Sequence, residues 1–220
     1  MPVRKYLAEF LGTGILVAVV VGSGIMATKL TTDVGIQLLI NTISTVLALG
    51  IIITIFASVS GSHFNPIVTL VELTFRRISL VDSLGYLAAQ FVGGAFGAIL
   101  ANLMYKKSAI NLSTHSRDGL NLFLGEIVAA AGLLLIIQLM NYQKRTSLIP
   151  ILVSAWIGSA YFFTSSTSFA NPAVTFARGL SNTFAGIAMR SVPLFIFAQI
   201  LGGAIGTLLA LVFKEGVGRE

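Results

Sequence analysis

Ser168-Phe169-Ala170-Asn171-Pro172-Ala173-Val174-Thr175 decides the reading of this chain, because Ser62-His63-Phe64-Asn65-Pro66-Ile67-Val68-Thr69 repeats it. Eleven-residue windows starting at Ser60 and Ser166 share Ser, Ser, Asn, Pro, Val and Thr, six identities at an offset of 106. A single Asn-Pro pair is usually only a turn or a helix start. Duplicated inside apolar sequence, it marks an internal repeat.

Proline is favoured at the first helical position, where its missing N–H costs nothing, with a polar residue just before it. Asn65 and Asn171 should therefore each open a helix. The first runs from Asn65 to Thr74 before Arg76-Arg77, and ten residues rise about 15 Å. That is half of a hydrocarbon core about 30 Å thick. The second should end near Arg178 to Asn182, again about ten residues on. Neither can span a bilayer, but each can run from its middle to a surface.

Of the 220 residues, 55% are apolar and 10% charged, and the mean hydropathy is +0.92. No soluble core of this size hides so much apolar surface, so the chain is an integral membrane protein. Cysteine is absent, which excludes disulfides, thiolate metal sites and a thiol nucleophile. The net charge of +6 fits loop anchoring at a membrane, and no nucleic-acid partner is expected. Six runs are long enough to span: Tyr6 to Ala27, Val34 to Ala57, Val81 to Met104, Gly119 to Met140, Leu148 to Thr164 and Ala188 to Phe213.

The repeat extends beyond the turns. Ala89 to Leu100 matches Ala198 to Leu209 at seven of twelve positions, and Glu9 and Glu126 occupy corresponding places in the first span of each half. The expected organisation is one membrane domain, 1–220, with a first repeat 1–105, a linker 106–118 and a second repeat 119–220. Three spans per half is an odd number, so the second half must enter from the opposite face. The fold expected is an all-α membrane protein: six transmembrane helices plus two re-entrant half-helices in two inverted repeats.

With the amino end inside, eight Lys and Arg (Arg4, Lys5, Arg76, Arg77, Lys144, Arg145, Lys214, Arg219) face inward, against five (Lys29, Lys106, Lys107, Arg117, Arg190) outside. The positive-inside rule favours that sense, with both termini cytoplasmic. The Asn-Pro ends then meet near the midplane. Non-helical backbone at that depth needs burial in protein or a water-filled cavity. Two facing helix N-termini place about half a positive charge each at one point, and the Asn amides add N–H donors. Such a centre binds neutral oxygen-bearing solutes and repels cations.

Paired Asn-Pro-Ala-like turns in inverted three-span halves, with Ser62-His63-Phe64-Asn65-Pro66 before the first half-helix, resemble the aquaporin and aquaglyceroporin (major intrinsic protein) family across essentially the whole chain. The resemblance implies a pore in each subunit of a homotetramer and passive flux of water or small uncharged solutes. It assigns the central filter to Asn65, Pro66, Ile67, Asn171, Pro172 and Ala173, and support of the re-entrant loops to Glu9 and Glu126. Counted without gaps from the two Asn residues, the family's outer constriction falls on Thr45, Ser159, Ser168 and Val174. None is aromatic or charged. Two departures stand out: Ile67 replaces the usual Ala, and Val174 replaces the usual Arg. The resulting mouth should be wide enough for glycerol, urea or neutral metalloid hydroxides. Arg178, one helical turn beyond Val174, either restores the missing charge or anchors the half-helix at the surface.

His63 reads as a packed loop histidine, with a pH-sensing role as the alternative. Gly93, Gly94, Gly97, Gly202, Gly203 and Gly206 suit close helix packing, and Trp156 suits interfacial anchoring. No catalytic constellation, cofactor site or metal site is expected. The expected function is thus a passive channel, and the alternatives are an inverted-repeat secondary transporter and a closed structural protein. Glu9 and Glu126 lie near span starts, which disfavours ion coupling at the midplane. Short loops suit a bacterial inner membrane.

Overall fold

The computed structural model describes residues 2–214. Arg219, one of the cations assigned inward, lies outside the described residues, as do the two ends of the 1–220 domain. Six long helices, α1 (Pro2–Leu30), α2 (Val34–Ser60), α4 (Leu80–Met104), α5 (Leu120–Tyr142), α6 (Ile149–Phe163) and α8 (Val192–Lys214), are interleaved with two short ones, α3 (Pro66–Thr74) and α7 (Pro172–Arg178). With its preceding 3-10 turn α6 reaches 18 residues, so all six long elements are long and apolar enough to cross a membrane. Among the described residues the only extended pairing is an isolated bridge between Asn111 and Ser181.

Local chemistry fixes the helix ends. The Asp33 carboxylate accepts from Ile36 N (2.9 Å) and the Ser79 hydroxyl from Asp82 N (3.1 Å), each satisfying a donor the helix leaves free. Gly61 closes α2 in the left-handed conformation (φ 81°), its N–H bonded to Ala57 O. Outward faces stay apolar: Leu39, Ile43, Leu47, Ile51 and Ile55 form an exposed stripe at four-residue spacing on α2. Only lipid or another apolar surface solvates such a stripe.

The halves are built alike. α4 packs on α1 and α8 on α5, and glycines set the separation. A Cβ on Gly93 would stand 2.2 Å from Phe10 O, and one on Gly97 2.1 Å from Gly14 O. In the second half Gly202 would meet Ile127 O at 2.4 Å and Gly206 would meet Ala131 O at 2.0 Å. With no hydrophobic effect between helices in lipid, this close backbone approach supplies the packing energy.

Two expectations change. α7 has seven residues rather than ten, because Gly179 and the residues after it turn back to pair with the linker. Asn111 N donates to Leu180 O (3.0 Å), Ser113 N to Gly179 O (2.9 Å) and Ala188 N to His115 O (2.7 Å). α8 consequently starts at Val192, after a 3-10 turn over Met189–Ser191, with Pro193 in its first turn. Trp156 packs between helices: its indole donates to Ala129 O (2.9 Å) and its ring fills the space over Gly132, wedging α6 against α5.

Following the helices in order, α1, α2 and α4 to α6 alternate direction, so the linker (Lys106–Asp118) and the start of α8 share one face. The amino end and the end of α8 share the other. α3 ends at the terminal face and α7 at the linker face, and their Asn-Pro ends meet inside.

Candidate functional site

Each half-helix is capped by its own asparagine. Asn65 Oδ1 accepts from Ile67 N (3.1 Å), and Asn171 Oδ1 from Ala173 N (3.0 Å) and Val174 N (3.3 Å). The amide nitrogens then cross the centre reciprocally, Asn65 Nδ2 to Ala170 O and Asn171 Nδ2 to Phe64 O, both at 2.8 Å. An amide carries two N–H groups, so each Asn spends one on the partner turn and keeps one for the cavity that both line.

Strain concentrates at these turns. Ser62 and Phe64 have φ of 52° and 47°, and their counterparts Ser168 and Ala170 have 50° and 46°. Left-handed non-glycine residues cost on the order of 1–3 kcal/mol each, so something must hold them. That something is a carboxylate in each half. Glu9 accepts from Ser60 Oγ (2.6 Å), His63 N (3.0 Å), Phe64 N (2.7 Å) and Gln90 Nε2 (2.8 Å). Glu126 accepts from Phe169 N (2.9 Å), Ala170 N (2.8 Å) and Gln199 Nε2 (2.6 Å). Gln90 also donates to Thr69 Oγ1 and Gln199 to Thr175 Oγ1, tying half-helix to long helix. The glutamines carry a role the sequence reading left unassigned. Their signal was identity at matching positions of the Ala-Gln-x-x-Gly-Gly repeat.

The cavity has a volume of about 630 Å³ and is lined from Glu72, Asn141 and Thr146 near the terminal face to Thr45, Val174 and Arg178 towards the linker face. Between lie Leu16, Leu49, Ile53, Val68 and Ile157, an apolar wall interrupted by the two turns. Pro66, Ile67, Pro172 and Ala173 are buried behind them; Ile67 packs towards Gly203, and Ala173 O towards Gly94. His63 lines the cavity, its Nδ1 3.0 Å from Thr69 Oγ1 and its ring edge-on to Tyr86.

The outer-constriction assignment is corrected at one position. Ser159 is exposed on the outside of α6, while Val153, Ile157 and Tyr161, spaced by four, face the cavity. The ungapped count misses Tyr161 because two residues along a helix is a rotation of about 200°. Its hydroxyl approaches Thr45 Oγ1 at 3.4 Å, so an aromatic residue does line the cavity beside Thr45. Thr45, Ser168 and Val174 all line the cavity.

Arg178 is buried and not at the surface. It donates through Nε to Ala185 O, and its guanidinium lies 3.4 Å from the Phe169 ring centroid. Arg117, which the sequence reading used only as a loop charge, lies 5.0 Å from the same ring and donates to Gly186 O (2.9 Å). His115 stands nearby in the linker. Burial first, and the charges of Arg117 and Arg178 second, hold its pKa below the ordinary imidazole value.

Residues 1–170 match the family model for major intrinsic proteins. An aquaglyceroporin of Rhizobium meliloti (strain 1021) is 44% identical over 206 residues, 94% of this chain and 88% of that protein. A glycerol uptake facilitator-like protein of Lactiplantibacillus plantarum is 40% identical over 50% of this chain and 47% of its own length. In three dimensions the fold is shared with an aquaglyceroporin from Plasmodium falciparum, with a TM-score of 0.73, 18% identity, and coverage of 99% and 98% of the two chains. Six spanning helices, two half-helices capped by asparagine at one centre, and these likenesses across nearly the whole length lead to one assignment: the chain belongs to the major intrinsic protein family.

Proposed function

We propose that the protein is a passive channel for water and small uncharged solutes of glycerol size, and no enzyme. The observation that carries this is the cavity passing between two helix N-termini, where Asn65 and Asn171 each keep one N–H for a solute. A hydroxyl-bearing solute exchanges water for those donors as it crosses, while its carbon side meets the apolar wall. Cations meet the two positive helix ends, while Glu9 and Glu126 stay off the cavity lining, engaged with the turns' N–H groups. The cavity's carboxylate, Glu72, sits towards the terminal face, held by Arg77 Nη1 (2.9 Å) and Gln138 Nε2 (3.1 Å). That position favours a channel over an ion-coupled transporter, which needs its charge at the midplane.

Val174 leaves more room at the mouth than an arginine would, and Tyr161 and Thr45 set its opposite wall. Charge and size selection are thereby separated: size at Val174 and Tyr161, charge one turn outward at Arg178. Further parts of the same reading are a homotetramer, a bacterial cytoplasmic membrane with both termini inside, and division of the chain into repeats 1–105 and 119–220 around the linker 106–118. Glu9, Glu126 and His63 hold the turns that shape the path.

The test is light scattering from proteoliposomes, comparing glycerol with water. Native protein should pass both, and Val174→Arg should lose glycerol flux more than water flux. A native pore that passes water and rejects every larger neutral solute would overturn the wide-mouth assignment.

A further inference from the structure

The mouth at the linker face holds two cations that neutral-solute conduction leaves without a counter-charge. Arg178, 2% exposed, and Arg117 each use Nε on a backbone carbonyl. Their terminal nitrogens donate to no protein acceptor, and neither residue forms an ion pair, among the described residues. Nearby carboxylates are already engaged. Glu126 holds Phe169 N, Ala170 N and Gln199, while Asp118 accepts from Ser116 and Ser191 and has Arg190 at 3.8 Å. Both guanidiniums nevertheless approach one ring, Phe169, and Arg178 does so as a buried residue, where a positive charge is costly without a partner.

A second observation points the same way. The Ser168 hydroxyl is buried with no hydrogen-bond partner, although it lines the same cavity as Arg178. Its counterpart in the first half, Ser62, donates to Ile53 O at 3.0 Å. An unpartnered buried hydroxyl on the cavity that Arg178 lines, adjacent in sequence to the ring both guanidiniums approach, supplies a donor of the kind an anion site uses.

We propose that this mouth binds a small monovalent oxyanion of the nitrate, formate or bicarbonate type, held by Arg178 and Arg117 with the Ser168 hydroxyl as a third donor. The planar guanidinium fork matches an anion that presents two oxygens in one plane. Because Arg117 comes from the linker and Arg178 from α7, the anion bridges the linker and the second half. Because Arg178 lines the conducting path, the anion also narrows it. The anion thus acts as a ligand of the mouth that limits neutral-solute flux, a consequence that rests on the channel reading.

Two measurements with one probe test this: glycerol flux in proteoliposomes, and the thermal unfolding midpoint in detergent, as nitrate replaces gluconate at constant ionic strength. In the native protein nitrate should raise the midpoint and, at a concentration equal to its dissociation constant, lower flux about twofold. Arg117→Gln should shift both responses to about tenfold higher nitrate, as expected for losing one charge-assisted contact. Arg178→Gln should abolish them, and if that variant does not fold, Arg117→Gln decides. Nitrate without effect on the native midpoint, or the same midpoint response in Arg117→Gln, overturns the site. A midpoint response that depends on Arg117 in a protein conducting neither water nor glycerol would instead uphold the site and sink the channel reading.

Discussion

The two Asn-Pro turns were drawn from one pattern, and the parts they keep differ in kind from the parts they do not. Both keep an asparagine cap, a reciprocal bond to the partner carbonyl, a carboxylate on the turn's N–H groups and a Gln–Thr link to the long helix. They diverge outside that set. The first turn is braced by polar contacts: Tyr86 donates to Ser60 O (2.7 Å), Ser62 to Ile53 O, and His63 packs on Tyr86. In the second, Phe195 stands at the position matching Tyr86 and packs edge-on against Phe169, leaving Ser168 unpartnered and two arginines against that ring. Shared parts serve the centre, which both halves build together. Divergent parts lie outside it, where the first half ends α3 at one face and the second ends α7 at the other.

The comparison breaks most severely at the carboxylates. Glu126→Gln removes the charge that three buried donors share and should destabilise by on the order of 3 kcal/mol or more, with Glu9→Gln costing about the same. Thermal unfolding of the two variants in detergent measures both. If one is tolerated and the other not, the turns are not equivalent at the centre. Next come the glycines. Gly97→Leu and Gly206→Leu each force a side chain onto a carbonyl 2.1 or 2.0 Å from the new Cβ. Each should cost about 1–3 kcal/mol, or prevent assembly outright.

A smaller effect on stability, but a sharper one on function, is expected at the asparagines. Asn171→Asp and Asn65→Asp each place a carboxylate where two helix ends concentrate positive potential. Cation leak should rise in both, read as conductance across planar bilayers, and a leak in only one would show that the centre is not shared evenly. Smallest is the brace found in one half alone. Tyr86→Phe gives the first half the aromatic of the second and should cost about 1 kcal/mol, the worth of one hydrogen bond. A loss much above that would mean the first turn depends on its brace and not mainly on Glu9.

Acid should also act on the linker. Hydrogen bonds from Ser116 and Ser191 hold the exposed Asp118 carboxyl below the ordinary aspartate value. A depressed folded pKa contributes stability that is present above the unfolded value of about 3.9 and lost as pH falls through the lower folded one. Docking of the linker, followed by hydrogen exchange, should loosen only in that window in native protein. In Asp118→Asn it should show no such step.

The sequence by itself determined the membrane class, the six spans, the two half-helices and the meeting of Asn65 with Asn171. Each of these follows from local rules: apolar run length, proline at a helix start, and an odd number of spans per repeat. Its limits lay where side-chain direction or chain reversal decides. Spacing placed Ser159 at the mouth, but the face of α6 that looks inward carries Tyr161, and only packing against α2 and α5 sets that rotation. Charge counting placed Arg117 in a loop and left Arg178 on the second half-helix with its role open. Their convergence on Phe169 depends on residues 179–188 folding back over the linker, a contact between segments about 70 residues apart that no local pattern encodes.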